Sequence, residues 1–301
     1  MKLALSIALC IFGAAYLVFW VRSLAKERTK LQRPGLLDLG IGVVVNFFDT
    51  LGIGSFATTT FCLKFFGLVH DEDIPGTLNV GITLPSILEG LIYLAVVDVE
   101  PITLVLTIAG ATIGATLGAG VVSRWPKRKI QIGMGCTLLV TAIFGLLVQF
   151  HLLPGGGELL GFSGWKLLVA VTATTILGAL MTLGIGLFAP CMMVTYLLGM
   201  NPRATFPIMM GAVAFLGPGA SVPFIRRKRY GLKSALGLTI GGIPGVLLAA
   251  FLVKSLPLGA MRWLVIVAVV YTAILMLRSA AVGRRGVLNA AVAPAPAPET
   301  P

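Results

Sequence analysis

A chain of 301 residues that is 57% hydrophobic and only 11% charged has too little polar surface to cover a water-soluble core; soluble domains carry about 25% charged residues. Its mean hydropathy of +0.99 excludes a soluble enzyme, a disordered chain and a cysteine-stapled secreted module. The net charge of +12 does not require nucleic acid, because membrane proteins gather Lys and Arg in cytoplasmic loops.

Apolar stretches of about 20 residues recur, where a membrane barrel would show alternating strands of about 10. The fold class expected is therefore an all-α polytopic membrane protein. The first run, Leu3–Val21, reads as a retained transmembrane helix, with a signal peptide as the alternative. A basic loop follows, so residues 1–35 form one unit. Leu36–Leu68 is a long apolar segment broken at Thr50-Leu51-Gly52-Ile53-Gly54, and spans are predicted at 77–97, 101–123 and 130–150, closing a unit over 36–150. A Gly-rich linker occupies 151–164. Trp165–Met200 is again long and broken, at Thr182-Leu183-Gly184-Ile185-Gly186, and spans at 204–225, 232–253 and 261–279 complete a unit over 165–280. The tail, 281–301, is rich in Ala and Pro and reads as disordered.

The chain repeats itself. Thr50–Gly54 recurs as Thr182–Gly186 and Phe56 as Phe188, at an offset of 132. Gly110, Gly114, Pro126 and Thr141-Ala142-Ile143 recur as Gly241, Gly245, Pro257 and Thr272-Ala273-Ile274, at an offset of 131. Basic clusters at 22–33, 124–129, 226–233 and 278–285 hold 17 of the 23 Lys and Arg residues. All four face the cytoplasm only if each broken segment is a hairpin that returns to its own side. Each repeat then crosses the bilayer an odd number of times, which makes the repeats inverted and places the N-terminus outside and the C-terminus in the cytoplasm.

A Gly-rich break at membrane depth has to face protein or a wet cavity, since lipid cannot satisfy its backbone groups. Two such tips meeting near the midplane make a recurrent transporter site, and the helix that restarts after each tip aims its positive end at it. That favours an anion. Gly52, Gly54, Gly184 and Gly186 allow close approach, while Thr50, Ser55, Thr58 and Thr182 supply hydroxyls. Asn46, Asn79 and Thr83 are candidate polar lining. Asp49 beside the first tip and Glu89 inside the span 77–97 are candidate coupling or gating acids, because a charge at mid-bilayer is costly and tends to face the bundle interior. A structural, hydrogen-bonded role for each acid stands as the alternative. Met181 occupies the position of Asp49 in the second repeat. Lys64 either attracts an anion or reaches the cytoplasmic surface, and Asp71, Glu72 and Asp73 read as a solvated cap before the helix near Pro75. Arg203 is read as an outer anchor or an anion guide.

The strings Asn46–Phe56 and Pro75–Ser86, with the Gly110–Arg124 run ending in Trp125-Pro126, resemble the sulfite exporter TauE/SafE family over about 36–280. The break here is Gly-Ile-Gly-Ser, shorter in glycine than the common family pattern. The resemblance implies a multi-pass carrier in the bacterial inner membrane, for sulfite, small organosulfonates or other anions. The expected function is secondary transport of such an anion by alternating access of one repeat against the other, with proton coupling open. Passive anion channel and non-transport scaffold or assembly protein are the rivals. No enzyme activity is expected: Walker, H-E-x-x-H and G-x-S-x-G motifs are missing, and neither metal nor other cofactor is implied by four cysteines without a C-x-x-C. The partners expected are the anion, the lipid bilayer and a proton, with no nucleic acid. The small-residue face Gly110, Gly114, Gly118 and Gly120 serves packing within the chain or across a homodimer.

Overall fold

A computed structural model of the protein describes residues 2–26, 33–52, 54–152, 157–182 and 187–252, together with eight helical residues between 267 and 281. Ten helices are named within it: α1 (Lys2–Lys26), α2 (Leu36–Thr50), α3 (Phe56–Phe65), α4 (Ile74–Val96), α5 (Pro101–Val122), α6 (Lys127–Gln149), α7 (Gly164–Met181), α8 (Phe188–Leu197), α9 (Pro202–Arg227) and α10 (Leu232–Leu252). Six of them, α1, α4, α5, α7, α9 and α10, have runs long and apolar enough to cross a membrane. The outward residues of α1 include Leu3, Ile7, Ile11, Phe12, Val18 and Val21, a face suited to lipid.

Both predicted breaks fall between helices. The first separates α2 from α3, and Gly52 and Gly54 there have φ of +79° and +95°, where a side chain would be strained. The 15 residues of α2 span about 22 Å and the 10 of α3 about 15 Å, short of a hydrocarbon core of about 30 Å. The second break separates α7 from α8, which again has 10 residues and starts 132 positions after α3. Residues 183–186 of that break lie outside the described residues, as does most of the span expected at 261–279 and the tail after 281.

The two halves of the chain are interlocked. Gly42 on α2 meets the backbone of Gly237 and Gly241 on α10, and Gly245 on α10 meets that of Val43. In the same way Gly110, Gly114 and Gly118 on α5 lie against Val171, Thr175 and Ala179 on α7. The glycines that repeat at an offset of 131 therefore do the same work twice, letting two backbones touch. The small-residue face of α5 is thus used within the chain, and Gly120 alone among its four glycines has open space around it.

Register gives the direction of each pair. Asp38 lies by Gly237 and Asn46 by Gly242, so α2 and α10 are parallel; Gly81 lies by Ala235 and Pro85 by Gly242, so α4 joins them. Ile108 lies by Gly211 and Thr116 by Gly219, so α5 and α9 are parallel, and α7 is parallel to α5. Between these two triads, α4 and α9 run antiparallel: Gly90 meets Ala214, Thr83 meets Gly217, and Gly76 meets the Arg229 carbonyl. Ser221 of α9 donates to the Asn79 carbonyl of α4 at 2.9 Å. Helix α1 runs antiparallel to α4, with Leu9 by Gly90 and the Tyr16 hydroxyl donating to the Val80 carbonyl at 2.8 Å.

One end of the bundle collects the basic loops. Arg229 pairs with Asp73 at 3.2 Å and with Glu72 at 3.5 Å, and reaches the Trp125 carbonyl at 3.5 Å. Lys233 stands 3.6 Å from Asp38, which also accepts from Ser234 at 2.8 Å. Lys64 pairs with Asp71, which accepts from Gln131 at 2.6 Å. The acidic run at 71–73 is therefore not the freely solvated cap that its letters suggest. It ties α3, α6 and the α9–α10 loop together, because each acid has a cation or amide within reach.

Candidate functional site

Two small adjoining cavities lie where the hairpins end against α4 and α9. Phe56, Met181 and Val213 line both. The first is completed by Asn79, Thr83 and Ser86 of α4 and by Leu216 and Gly217 of α9. The second is completed by Asp49, Gly54 and Ser55 of the first hairpin and by Leu187 and Phe188 of the second. Both hairpins thus contribute, each through the end of its first limb and the start of its second.

The first tip is held by side chains. Asp49 closes the last turn of α2, and its two carboxylate oxygens each accept one bond at 2.7 Å, from the Ser55 amide and from the Ser55 hydroxyl. A carboxylate at the N-terminus of α3 answers that helix's free N–H groups and positive end. Thr50 is fixed on its other side: its carbonyl accepts from the Tyr93 hydroxyl at 2.6 Å, and its own hydroxyl lies 2.8 Å from Glu89 Oε1. Tyr93 stacks on Phe206, with ring centroids 5.6 Å apart, and the Phe206 ring lies where a Cβ on Gly52 would go. α4 and α9 together thus brace the break.

The sequence-selected residues divide by where their polar atoms go. Gly54, Ser55, Asn79, Thr83 and Asp49 line the cavities. Thr50 and Glu89 form the brace behind the tip. The Thr58 hydroxyl turns back to the Ser55 carbonyl at 2.8 Å, and Thr182 to that of Ala179 at 2.7 Å. Asn46 uses its amide on the Gly42 carbonyl at 2.8 Å and packs by Gly242. Gly52 faces the Phe206 ring. Gly184 and Gly186, and the side chain of Arg203, lie outside the described residues. Lys64 is engaged with Asp71 at the basic end, away from both cavities.

Two polar atoms of residues lining the first cavity have no partner among the described residues although their residues are buried: Asn79 Oδ1 and Ser86 Oγ. Leaving such a group unpaired costs about 1–3 kcal/mol, so each is a handle for something polar in the cavity. The letters alone do not single out Ser86, Ser221, Tyr93 or Phe206. Ser86 and Tyr93 lie on the face of α4 that carries Asn79, Thr83 and Glu89, and that polar stripe at helical spacing was the available signal. Among the described residues neither cavity is lined by Lys, Arg or His, and no group of His, Cys, Asp and Glu is arranged to hold a metal ion.

Residues 1–145 match the model of the family described as Sulfite exporter TauE/SafE, a family of membrane transporters. The matched segment contains the first hairpin, α4, α5 and most of α6, including the strings Asn46–Phe56 and Pro75–Ser86. No curated protein and no solved structure matches the chain.

Proposed function

We propose that this chain, TauE/SafE in its first 145 residues, is a secondary transporter that carries a small anion, sulfite or a short organosulfonate, without enzyme activity of its own. One observation carries the reading: the unpartnered Asn79 and Ser86 polar atoms face a cavity closed by the ends of both hairpins. The Ser86 hydroxyl can donate to an anion's oxygens, Asn79 Oδ1 can accept from a protonated oxyanion, and in the adjoining cavity Leu187 places no side-chain cap on the start of α8. The Asp49 carboxylate lines the adjoining cavity and repels an anion that arrives alone. That repulsion favours proton coupling.

The antiparallel contact of α4 with α9, its repeat counterpart, supports inverted repeats. The shared end of the basic loops supports a cytoplasmic location for that end, with the start of α1 outside, as in a bacterial inner membrane. The interlocked packing argues for a division of moving parts other than the repeats themselves. Rocking one repeat against the other would separate α2 from α10 and α5 from α7 along their glycine faces, as well as α4 from α9. Motion along the α4–α9 seam keeps each triad whole and opens the cavities alternately.

The test is labelled-sulfite flux in proteoliposomes, with and without an imposed pH gradient, against a panel of competing sulfonates and carboxylates. Gradient-driven flux that sulfonates inhibit is the expected result. Folded protein that moves none of these anions would overturn the assignment, and currents independent of any gradient coupling would make the protein a channel.

A further inference from the structure

We propose that Glu89, rather than the cavity-lining Asp49, is the residue that carries the proton of the transport cycle, and that it acts on the first hairpin through Thr50. This deepens the transport reading above and rests on it.

Thr50 Oγ1 lies 2.9 Å from the Asn46 carbonyl oxygen and 2.8 Å from Glu89 Oε1. A hydroxyl has one hydrogen to donate. Both contacts are filled only when Glu89 is a carboxylic acid, donating to Thr50 Oγ1 while Thr50 donates to Asn46. An ionised Glu89 would leave the single Thr50 hydrogen shared between two acceptors. It would also leave charge on Oε2, which has no partner among the described residues and belongs to a side chain only 1% exposed. Asp49 shows the opposite pattern. Each of its oxygens accepts a hydrogen bond from Ser55, which is what an ionised carboxylate requires. Two neighbouring acids are thus held in different protonation states by their donors.

The surroundings make that proton matter to an anion. The titratable groups facing Glu89 are Asp49 from α2 and Tyr93 one turn along α4. The described residues of α1, α3, α9 and α10 add none to its electrostatic neighbourhood. With Glu89 ionised, two negative charges would stand beside the cavities before any anion entered. A proton taken from water onto Glu89 removes one of them, and its return to water on the other side restores it. Loss of the proton also removes the donor to Thr50 and so loosens the end of α2 at the break. Glu89 is therefore a positioning residue for the tip as well as the proton's seat.

Glu89→Gln keeps one donor and one acceptor and mimics the neutral acid. In proteoliposomes, sulfite exchange at equal pH on both sides should stay within about threefold of wild type, while gradient-driven accumulation and the pH dependence of flux are lost. Glu89→Asp should keep pH-dependent flux with a displaced midpoint. Difference infrared spectroscopy on alkaline titration supplies a readout independent of transport: the carboxylic-acid carbonyl band should vanish in Glu89→Gln and persist in Asp49→Asn. The assignment falls if Glu89→Gln still accumulates sulfite, if it loses exchange as fully as accumulation, if Glu89→Asp is insensitive to pH, or if the acid band survives in Glu89→Gln. Wild-type protein that moves no anion would instead sink the transport reading, and the infrared result would still decide where the proton sits.

Discussion

Asp49 and Ser55 are joined twice across the break of the first hairpin, once through the Ser55 amide and once through its hydroxyl, each at 2.7 Å. The last turn of one helix thereby caps the first turn of the next. Hydrogen bonds to a charged acceptor contribute about 1.5–3 kcal/mol each. Ser55→Ala removes one of the two and should lower the melting temperature of the purified protein by several degrees, with a partial loss of flux. Asp49→Asn weakens both bonds and should cost more, about tenfold or greater in flux. Equal melting of Ser55→Ala and wild type would mean that the clasp does not hold the tip.

The glycine contacts between halves predict a sharp difference among substitutions that look alike. A Cβ on Gly114 would run into the Thr175 carbonyl, and one on Gly241 into that of Leu39, whereas Gly120 has nothing within 4 Å. Gly114→Ala and Gly241→Ala should give little folded protein, judged by monodisperse elution from detergent. Gly120→Ala should elute as wild type does, with a helix-propensity gain of up to about 1 kcal/mol.

Cross-linking distinguishes motion along the seam from motion of the repeats. In a cysteine-free background, Thr83→Cys with Ser221→Cys bridges α4 to α9, whose hydroxyls stand 3.0 Å apart. Asp38→Cys with Ser234→Cys bridges α2 to α10 inside one triad, where the side chains meet at 2.8 Å. The seam bridge should stop flux and reduction should restore it. The triad bridge should leave flux running in both states. The reverse pattern would show that the repeats move as bodies.

Glu100 sets an acid limit on stability at the end opposite the basic loops. Burial tends to raise its pKa, but bonds accepted from Thr103 and from the Ile102 amide outweigh that and lower it. A carboxylate with a lowered pKa contributes stability above its unfolded pKa and loses it as pH falls through the folded one. Melting temperature should therefore decline on acidification below the ordinary glutamate range. Glu100→Gln should start lower at neutral pH and lose that part of the decline. An unchanged profile in the variant would assign the acid sensitivity elsewhere.

Much of this architecture is written in the letters. The duplicated Thr-Leu-Gly-Ile-Gly string marks both breaks, and the glycines repeated at an offset of 131 mark the faces where backbones meet. What the letters do not carry is partnership. Gly110 reads as small, but nothing in the sequence says that α7 fills the space. Hydroxyls are the other difficulty. In an apolar helix a Thr or Ser can satisfy itself on the carbonyl three or four residues back, as Thr58 and Thr182 do, and only packing leaves one such as Ser86 without a partner. Asp49 was legible as a buried acid beside a tip, but not as a cap for the next helix, because that role depends on how sharply Gly52 and Gly54 turn the chain.

The exchange of partners between halves also bears on how the protein is made. A translocon releases helices in the order of synthesis, so α2 and α5 enter the bilayer before α10 and α7, the helices they fit, have been translated. Gly42 and Gly114 then face lipid tails that cannot follow a bare backbone as closely as another helix does. The first half must wait, inserted but unfinished, for the second. Maturation is therefore a late event set by the arrival of α10, and a ribosome that stalls just before that helix leaves a product whose α5 face is matched by α7 but whose α2 face is still open for membrane proteases to recognise.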